Sequence, residues 1–190
     1  MTTLELLPFE AKGMGTIRQL RRPVLETLHP DTVAFSEFDY PEFPLYVPHD
    51  KFDRVLGRGI KSPFGRVGEL LVCLERYTVN GDRTYYEAKD AGDGTVKIAW
   101  MDAETLPPDR SRFTITPVEI RVEKLGTVTE DGAEREGCRD FAVDMGLGDG
   151  CIERVSALDV YRQRWNANFP DHPWADGLWT WVMKFEVQKI

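Results

Sequence analysis

The C-terminal segment of the chain alternates between apolar and polar residues in the manner of a β-strand. One phase contains the apolar side chains Trp179, Trp181, Met183, Phe185 and Val187. The other phase is polar apart from Val182. Because successive side chains of a strand point to opposite faces, residues 179–188 are predicted to form a strand with one buried face.

Residues 112–125 predict a second long strand, with a change of apolar phase along it. Phe113 and Ile115 lie in one phase, whereas the other contains Val118, Ile120 and Val122. A phase change at Thr116-Pro117 is what a β-bulge would produce, and such bends help to close a small barrel. Residues 69–77 are apolar in both phases, which predicts a central strand. Shorter strands are predicted at residues 4–9, 84–88 and 96–100.

Helices are predicted in the second half of the chain from their capping residues. Thr129 can cap a short helix that runs to Glu136 and stops at Gly137. Ser156 and Asp159 have the spacing of a capping box and begin a longer helix. That helix carries apolar residues on one face: Leu158, Tyr161, Trp165 and Phe169. About six strands and two or three helices predict an α+β fold, a small, mostly antiparallel barrel with flanking helices.

Residues 27–52 contain too many prolines for a helix and too many aromatic residues for a free linker. We expect an ordered loop that packs on the body of the protein and could serve as a lid, because long loops in compact domains are often functional. A chain of 190 residues has the size of one domain. The prediction is therefore a single domain over residues 1–190, with an aromatic- and proline-rich insertion at about residues 24–60.

The net charge of −8 is unevenly distributed along the chain. The first 66 residues contain nine basic and nine acidic residues, so the remainder carries the whole net charge. This balance argues against non-specific coating of nucleic acid and directs any polyanion to the N-terminal third. The N-terminus does not resemble a signal peptide and there is no long apolar run. The three cysteines and scattered histidines favour a cytoplasmic protein without disulfides, metal or cofactor.

Two basic segments are candidate binding sites. The first contains Arg18, Arg21 and Arg22, whose guanidinium groups could hold a phosphate or a base edge. The second contains Lys51, Arg54, Arg58, Lys61 and Arg66, and the sequence Gly57-Arg58-Gly59 would let the backbone approach a phosphate. Surface charge and salt bridges to the acidic remainder are the alternative interpretation of both segments.

Glu75 interrupts an apolar strand, and a buried carboxylate needs a partner, which Arg112 or Arg22 could supply. It is either a structural ion pair or a group that accepts a base amino group or a proton. Ser111 and Arg112 open a strand at the expected rim of a cleft. Among the aromatic residues, Trp165, Trp179 and Trp181 are expected in the core, whereas the better stacking candidates are Tyr40, Phe43, Tyr46 and Phe52.

Four segments, in this order, resemble the PUA-like ASCH family that is common in bacteriophage genomes. They are Gly15-Thr16-Ile17-Arg18-Gln19-Leu20-Arg21-Arg22; Ser62-Pro63-Phe64-Gly65-Arg66-Val67-Gly68-Glu69 with the strand of Glu75 and Tyr77; Ser111-Arg112 with the residues up to Gly137; and the Trp165 helix with the strand Trp179–Phe185. The resemblance covers about two thirds of the chain, and residues 24–60 have no clear counterpart.

The resemblance implies a PUA-like barrel with a cleft between the barrel and the first helix. Related domains bind RNA or modified bases in DNA, and some small ASCH proteins are amidohydrolases that act on acetylated cytidine with a Lys, a Thr and a Glu. Here Ile17 stands at the position of that Lys and Arg18 at the following Thr position, whereas Glu75 is retained. The loss of the Lys argues against hydrolysis.

Three hypotheses follow from the sequence. The first is a recognition module, without catalysis, that binds RNA, modified-base DNA or a nucleotide in a cleft formed by Arg18, Arg21, Arg22, Glu75 and Arg112. The second is an amidohydrolase on a modified nucleoside, in which Glu75 and a water replace the lost Lys. The third is a phage protein that inhibits a host factor through its acidic, aromatic loop, or that sequesters a nucleotide signal.

Overall fold

The computed structural model describes residues 2–14, 16–40, 43–91, 99–144 and 152–190. Its strands are β1 (Thr2–Glu5), β2 (Gln19–Pro23), β3 (Ala34–Asp39), β4 (Pro44–His49), β5 (Ile60–Lys61), β6 (Leu71–Leu74), β7 (Tyr77–Asn80), β8 (Arg83–Tyr86), β9 (Phe113–Lys124), β10 (Phe141–Asp144), β11 (Ile152–Val155) and β12 (Trp179–Lys189). Its α-helices are α1 (Pro8–Gly13), α2 (Glu87–Asp90), α3 (Glu130–Arg135) and α4 (Ala157–Asn168). The predicted α+β class with mostly antiparallel strands is confirmed.

The main sheet has five strands in the order β1-β6-β9-β12-β2. The pairing of β1 with β6 is parallel, and the other three pairings are antiparallel. The two longest strands, β9 and β12, pair over almost their whole length at the centre of the sheet. Within the described residues this sheet is open, because its edge strands β1 and β2 do not pair with each other. The closed barrel expected from the sequence is therefore not observed there.

The predicted bulge is present in β9, two residues after the start of the expected phase change. Lys184 of β12 pairs with Glu119 and Phe185 pairs with Pro117, so Val118 has no partner across the strand pair. Val118 is accordingly exposed, whereas Ile120 is buried. The prediction that Val118 shares the buried phase of Ile120 was wrong because Val118 is itself the extra residue.

The main core joins the large sheet to the insertion. It contains Leu20, Leu71, Ile115, Ile120, Trp181, Met183 and Phe185 from the main sheet, together with Tyr46 of β4 and Ile60 of β5. A second core holds Leu125, Val128 and Ala133 against Tyr161 and Trp165 of α4. The central part of β12 is buried on both faces, at Thr180 and Val182 as well as at Trp181 and Met183. The predicted alternation between a buried and an exposed face is seen only in the last part of β12, from Phe185 onward.

The long loop predicted at residues 27–52 is instead a small sheet of its own. Strands β3 and β4 form an antiparallel hairpin, and β4 also pairs with β5. Pro44 is compatible with this arrangement because it is the first residue of β4, where a missing backbone N–H is tolerated. Near the N-terminus, the expected strand over residues 4–9 ends at Glu5, and Pro8 begins α1.

The predicted caps and the turn after Asn80 agree with the structure, but two predicted strands differ: residues 69–77 divide between β6 and β7, which belong to different sheets, and the strand predicted at residues 84–88 ends at Tyr86, where α2 follows. Thr129 caps α3 and accepts a hydrogen bond from the Gly132 N–H (3.2 Å), and Ser156 caps α4 in the same way from Asp159 (3.1 Å). The turn after Asn80 joins β7 to β8. Of the strand predicted at residues 96–100, residues 96–98 lie outside the described residues, as does Gly15 of the first family-like segment, and residues 99 and 100 belong to no strand.

Candidate ligand-binding cleft

A cleft of about 720 Å³ lies where the two edges of the main sheet approach each other. Residues of β1 and of β2 line it, and its other walls come from residues 61–64 after β5 and from residues 168–172 at the end of α4. Trp181 and Phe64 are buried side chains that also line it. The open edges of the sheet and the segments between the strands therefore meet around one cavity.

Arg22 connects the two edges of the sheet at this cleft. Its Nη2 donates to Oε2 of Glu10 in α1 (2.6 Å) and to the carbonyl oxygen of Glu5 in β1 (3.4 Å). Its Nη1 donates to the other carboxylate oxygen of Glu10. Glu10 is fully buried and accepts the Leu7 N–H as well (2.8 Å). These contacts of Arg22 link β2 to β1 and α1 in place of backbone hydrogen bonds between the two edge strands. Most of the N–H donors of Arg22 are therefore engaged within the protein.

Two rigid segments form the other walls. The indole N–H of Trp165 donates to the carbonyl oxygen of His172 (2.8 Å), which holds residues 169–172 against α4. The Phe64 N–H donates to Oγ of Ser62 (3.0 Å), and Gly65 follows with φ of 67°, a value that favours glycine. The walls are thus held in place by hydrogen bonds within the protein.

The lining of the cleft is mainly apolar with charged groups at its margins. The apolar groups include Leu4, Leu7, Leu25, Pro63, Phe169 and Pro170. The charged groups are Arg22, Lys61, Glu5, Glu26 and Asp171, so positive and negative charges are nearly balanced. Lys61 is exposed, and its Nζ lies 3.3 Å from the ring centroid of Phe43. This is the lining of a site for a largely uncharged, partly apolar ligand.

Arg21 points away from this cleft into a buried network. Its guanidinium contacts the carboxylates of Glu123 and Glu136. Glu136 also accepts hydrogen bonds from Gln19 Nε2 (3.1 Å) and from the Tyr161 hydroxyl (3.0 Å). Burial raises the pKa of Glu136, and the neighbouring Arg21 opposes that rise. The network joins β2, α3 and α4, and it explains Arg21 as a structural residue.

Glu75 and Arg112 form a pair at the end of β6, away from the residues that line the cleft. Arg112 Nε donates to Oε1 of Glu75 (2.7 Å) and Nη2 to Oε2 (2.5 Å), while Glu75 is 2% exposed. The Arg112 guanidinium also lies near the rings of Tyr86 and Phe113. This geometry agrees with the structural interpretation of Glu75.

Ser111 is also used within the protein, because its hydroxyl donates to the carbonyl oxygen of Cys73 (2.6 Å). Arg18 lies just before β2, where its Nη1 donates to the carbonyl oxygen of Ile17 (2.8 Å). Arg58 is exposed in the segment between β4 and β5. The structure therefore does not bring the eight predicted site residues together, and of that set Arg22 and Lys61 line the cleft.

The aromatic residues divide differently from the prediction. Trp165 and Trp181 are buried as expected, and Trp179 is half-buried against Phe35 at 5.1 Å between ring centroids. Tyr46 is not a stacking candidate, because it is buried beneath Trp181 and donates its hydroxyl to the carbonyl oxygen of Ile120 (3.2 Å). Phe52 and Tyr40 are exposed.

The cleft residues Leu25, Glu26 and 168–172 were not predicted from the sequence. No local pattern identifies them, because they are brought together by the approach of β1 to β2 and by the end of α4. Two further cavities, of about 220 Å³ and about 470 Å³, lie beside Arg21 and beside the turn after β4. In the part of the chain that the structure describes, no set of three His, Cys, Asp or Glu side chains is arranged for a metal ion. The described helices include none long and apolar enough to cross a membrane.

Comparison of the chain with protein-family models, with curated proteins and with solved structures found no match.

Proposed function

We propose that this chain is a recognition module that binds a single nucleobase in the cleft between β1 and β2. The base would belong to RNA, to modified-base DNA or to a free nucleotide. The observation that carries this proposal is the cleft itself, which is mainly apolar and also lined by hydrogen-bonding groups. Its volume of about 720 Å³ falls in the range of cavities that enclose small organic ligands.

A nucleobase matches this lining because it has apolar faces and polar edges. Leu7, Leu25 and Phe169 offer apolar surface to the faces of a ring, whereas Ser62 and Asn168 offer hydrogen-bonding groups to its edges. Glu26 and Asp171 would accept hydrogen bonds from exocyclic amino groups, as carboxylates do when they recognise cytosine. The cleft therefore suits the base better than it suits a phosphate.

The charge balance supports the same assignment. Arg22 is engaged by Glu10, and the carboxylates at the margin offset Lys61. A phosphate bound in the cleft would meet little net positive potential. Affinity for the cleft should thus depend on the identity of the base and only weakly on salt, in contrast to binding through many phosphate contacts.

The proposed class of fold is PUA-like. The support for it is the order of the five strands and the approach of β1 to β2, which are joined by Arg22 across the cleft. The closure of this sheet into a barrel, which the resemblance to ASCH proteins implies, belongs to this proposal, since the sheet is open within the described residues.

The test is calorimetric titration with nucleosides, mononucleotides and short RNA, using a variant that fills the cleft. Leu25 is 71% exposed and lines the cleft, so Leu25→Arg should block it at little cost to folding. Leu70 is 51% exposed and is not among the lining residues, so Leu70→Arg is the matched control. We expect Leu25→Arg to lower affinity at least about tenfold, or ~1.4 kcal/mol. Equal affinities of the two variants, or no binding by the native protein, would contradict the proposal.

A further inference from the structure

The turn after β4 is a rigid structure built around Asp50. One carboxylate oxygen of this buried residue accepts the N–H groups of Phe52 (2.8 Å) and Arg54 (3.0 Å), and the other accepts Nε of Arg54 (2.7 Å). The backbone N–H of Arg54 is the leading cause that lowers the pKa of Asp50 to about 2. Asp53 completes the turn with φ of 64°. These hydrogen bonds hold the backbone of the turn that presents Phe52.

Phe52 is an exposed aromatic ring flanked by two cations. It is 66% exposed, and the Lys51 ammonium and Arg54 guanidinium lie 5.0 and 5.3 Å from its ring centroid. Exposure of a large apolar ring costs free energy in water unless something covers it. A ring with cations beside it is the arrangement on which single-stranded nucleic acids stack their bases.

A cavity of about 470 Å³ lies next to this ring. Its lining combines Phe52 and Thr32 with three basic and two acidic residues: Lys51, Arg54, Lys124, Asp31 and Asp50. The Thr32 hydroxyl is buried and has no hydrogen-bond partner among the described residues. A buried polar group without a partner is rare and points to a missing one, and a phosphate or base oxygen would supply it.

The charge of this surface differs from that of the whole chain. Residues 50–66 contain five basic and two acidic side chains, in a protein whose net charge is −8. The basic side chains Lys51, Arg54, Arg58 and Lys61 are exposed. Exposed basic side chains of this segment are thus available to contact the phosphates of a nucleic acid, although the chain as a whole is acidic.

We propose that the Asp50–Arg54 turn is a second contact site, and that the ligand of this protein is a single-stranded nucleic acid rather than a free nucleotide. A base stacks on Phe52 in place of one flanking cation, and Lys51 and Lys124 contact the neighbouring phosphates. This inference rests on the proposed function, since it adds a second site to the base-binding cleft.

The register of β4 gives the separation of the two sites. Leu45 pairs with Lys61 at the margin of the cleft, and Asp50 follows five residues later along the strand direction. At ~3.3 Å per residue this is a distance of ~17 Å. At the ~3.4 Å spacing of stacked nucleotides, about five nucleotides span it. A mononucleotide cannot reach both sites, whereas a strand of about five stacked nucleotides can.

The test is fluorescence anisotropy with a mononucleotide and with oligouridines of ~3 to ~10 nucleotides, the range of site sizes of single-strand binders. We expect affinity to rise sharply between the mononucleotide and strands of about five nucleotides. Phe52→Ala should lower the affinity for the longest oligonucleotide about tenfold and leave mononucleotide affinity unchanged. Lys51→Gln should reduce the dependence of that affinity on salt by about one phosphate contact. Phe38→Ala, which removes another exposed phenylalanine of the same small sheet, and Lys89→Gln on α2 are the matched controls.

The outcomes separate this inference from the proposed function. Affinity that is independent of length, or unaffected by Phe52→Ala while Leu25→Arg abolishes binding, would overturn the second site and leave the cleft proposal intact. If Phe52→Ala weakens oligonucleotide binding while Leu25→Arg has no effect on any ligand, the cleft proposal fails and the two-site inference fails with it. Binding of the mononucleotide alone would also overturn the inference.

Discussion

Arg112 holds Glu75 with two hydrogen bonds, from Nε to Oε1 at 2.7 Å and from Nη2 to Oε2 at 2.5 Å. The pair lies where β6 ends and β9 begins, two strands that are hydrogen-bonded in the main sheet. Tyr86 and Phe113 cover the guanidinium. A carboxylate buried to this extent is tolerated because its charge is neutralised in a fixed geometry. The role of Glu75 is thereby tied to the stability of the sheet.

Arg112→Ala should destabilise the protein strongly, because it leaves the Glu75 carboxylate buried without a partner. We expect a loss of roughly 3–5 kcal/mol in the free energy of unfolding, measured with urea. Arg76→Ala is the control, since the pair of Arg76 with Glu87 is more exposed and should contribute about 0–1 kcal/mol. Similar losses for the two variants would contradict the structural role of the Glu75 pair.

Substitutions at the bulge should distinguish a valine and an isoleucine that share one apolar phase in the sequence, Val118 and Ile120. Val118 is 49% exposed because it is the unpaired residue of the bulge, so Val118→Ala should change the free energy of unfolding by less than about 0.5 kcal/mol. Ile120, only two residues later, is buried in the main core, and Ile120→Ala should cost roughly 2–5 kcal/mol. Chemical denaturation of both variants tests the register, and a large loss at Val118 would mean that the bulge is elsewhere.

Strong local patterns explain why the centre of the fold could be predicted from sequence. The alternation in β12, the phase change in β9 and the capping residues Thr129 and Ser156 each act over a few neighbouring residues. The hairpin of β3 and β4 was missed because the residues of β3 show no buried face, and because Pro44 and Pro48 suggested a break where β4 forms.

The candidate site was harder to predict because it depends on contacts between distant segments. Arg21 and Arg22 are adjacent in β2 and therefore point to opposite faces of the sheet, one toward Glu136 and the other toward Glu10 at the cleft. Two arginines that are neighbours in sequence thus form ion pairs with different carboxylates from distant parts of the chain. The charge count contained no information about which carboxylates would be close to them.

Cys73 and Cys138 should not react with iodoacetamide in the folded protein at about pH 8, since the thiolate is the reactive species. Burial raises the pKa of Cys73 to about 12 and that of Cys138 to about 11. Mass spectrometry of peptides after alkylation distinguishes these residues from Cys151. We expect both to be modified completely when urea is added, and rapid labelling of either without urea would show that it is more accessible than in this structure.

The turn that presents Phe52 should lose stability at acidic pH. The folded pKa of Asp50, about 2, lies below the ordinary value of 3.8, so the folded protein binds fewer protons than the unfolded chain between these values. The stability that ionised Asp50 contributes is therefore complete above about pH 4 and is lost as the pH falls towards 2. The difference in the free energy of unfolding between the native protein and Asp50→Asn should accordingly be constant from neutral pH to about pH 5 and shrink below pH 4.

Urea unfolding at several pH values measures this difference, and Arg54→Met serves as the comparison. That variant removes the side-chain partner of Asp50 but keeps the backbone N–H of residue 54, which is the leading cause of the low pKa. The pH range over which Asp50 changes the free energy of unfolding should then become narrower without disappearing. If instead Arg54→Met removes the pH dependence entirely, the ion pair rather than the backbone organises the turn. Phe52 would then be held by a contact with an exposed arginine, which is a weaker basis for a preformed stacking surface.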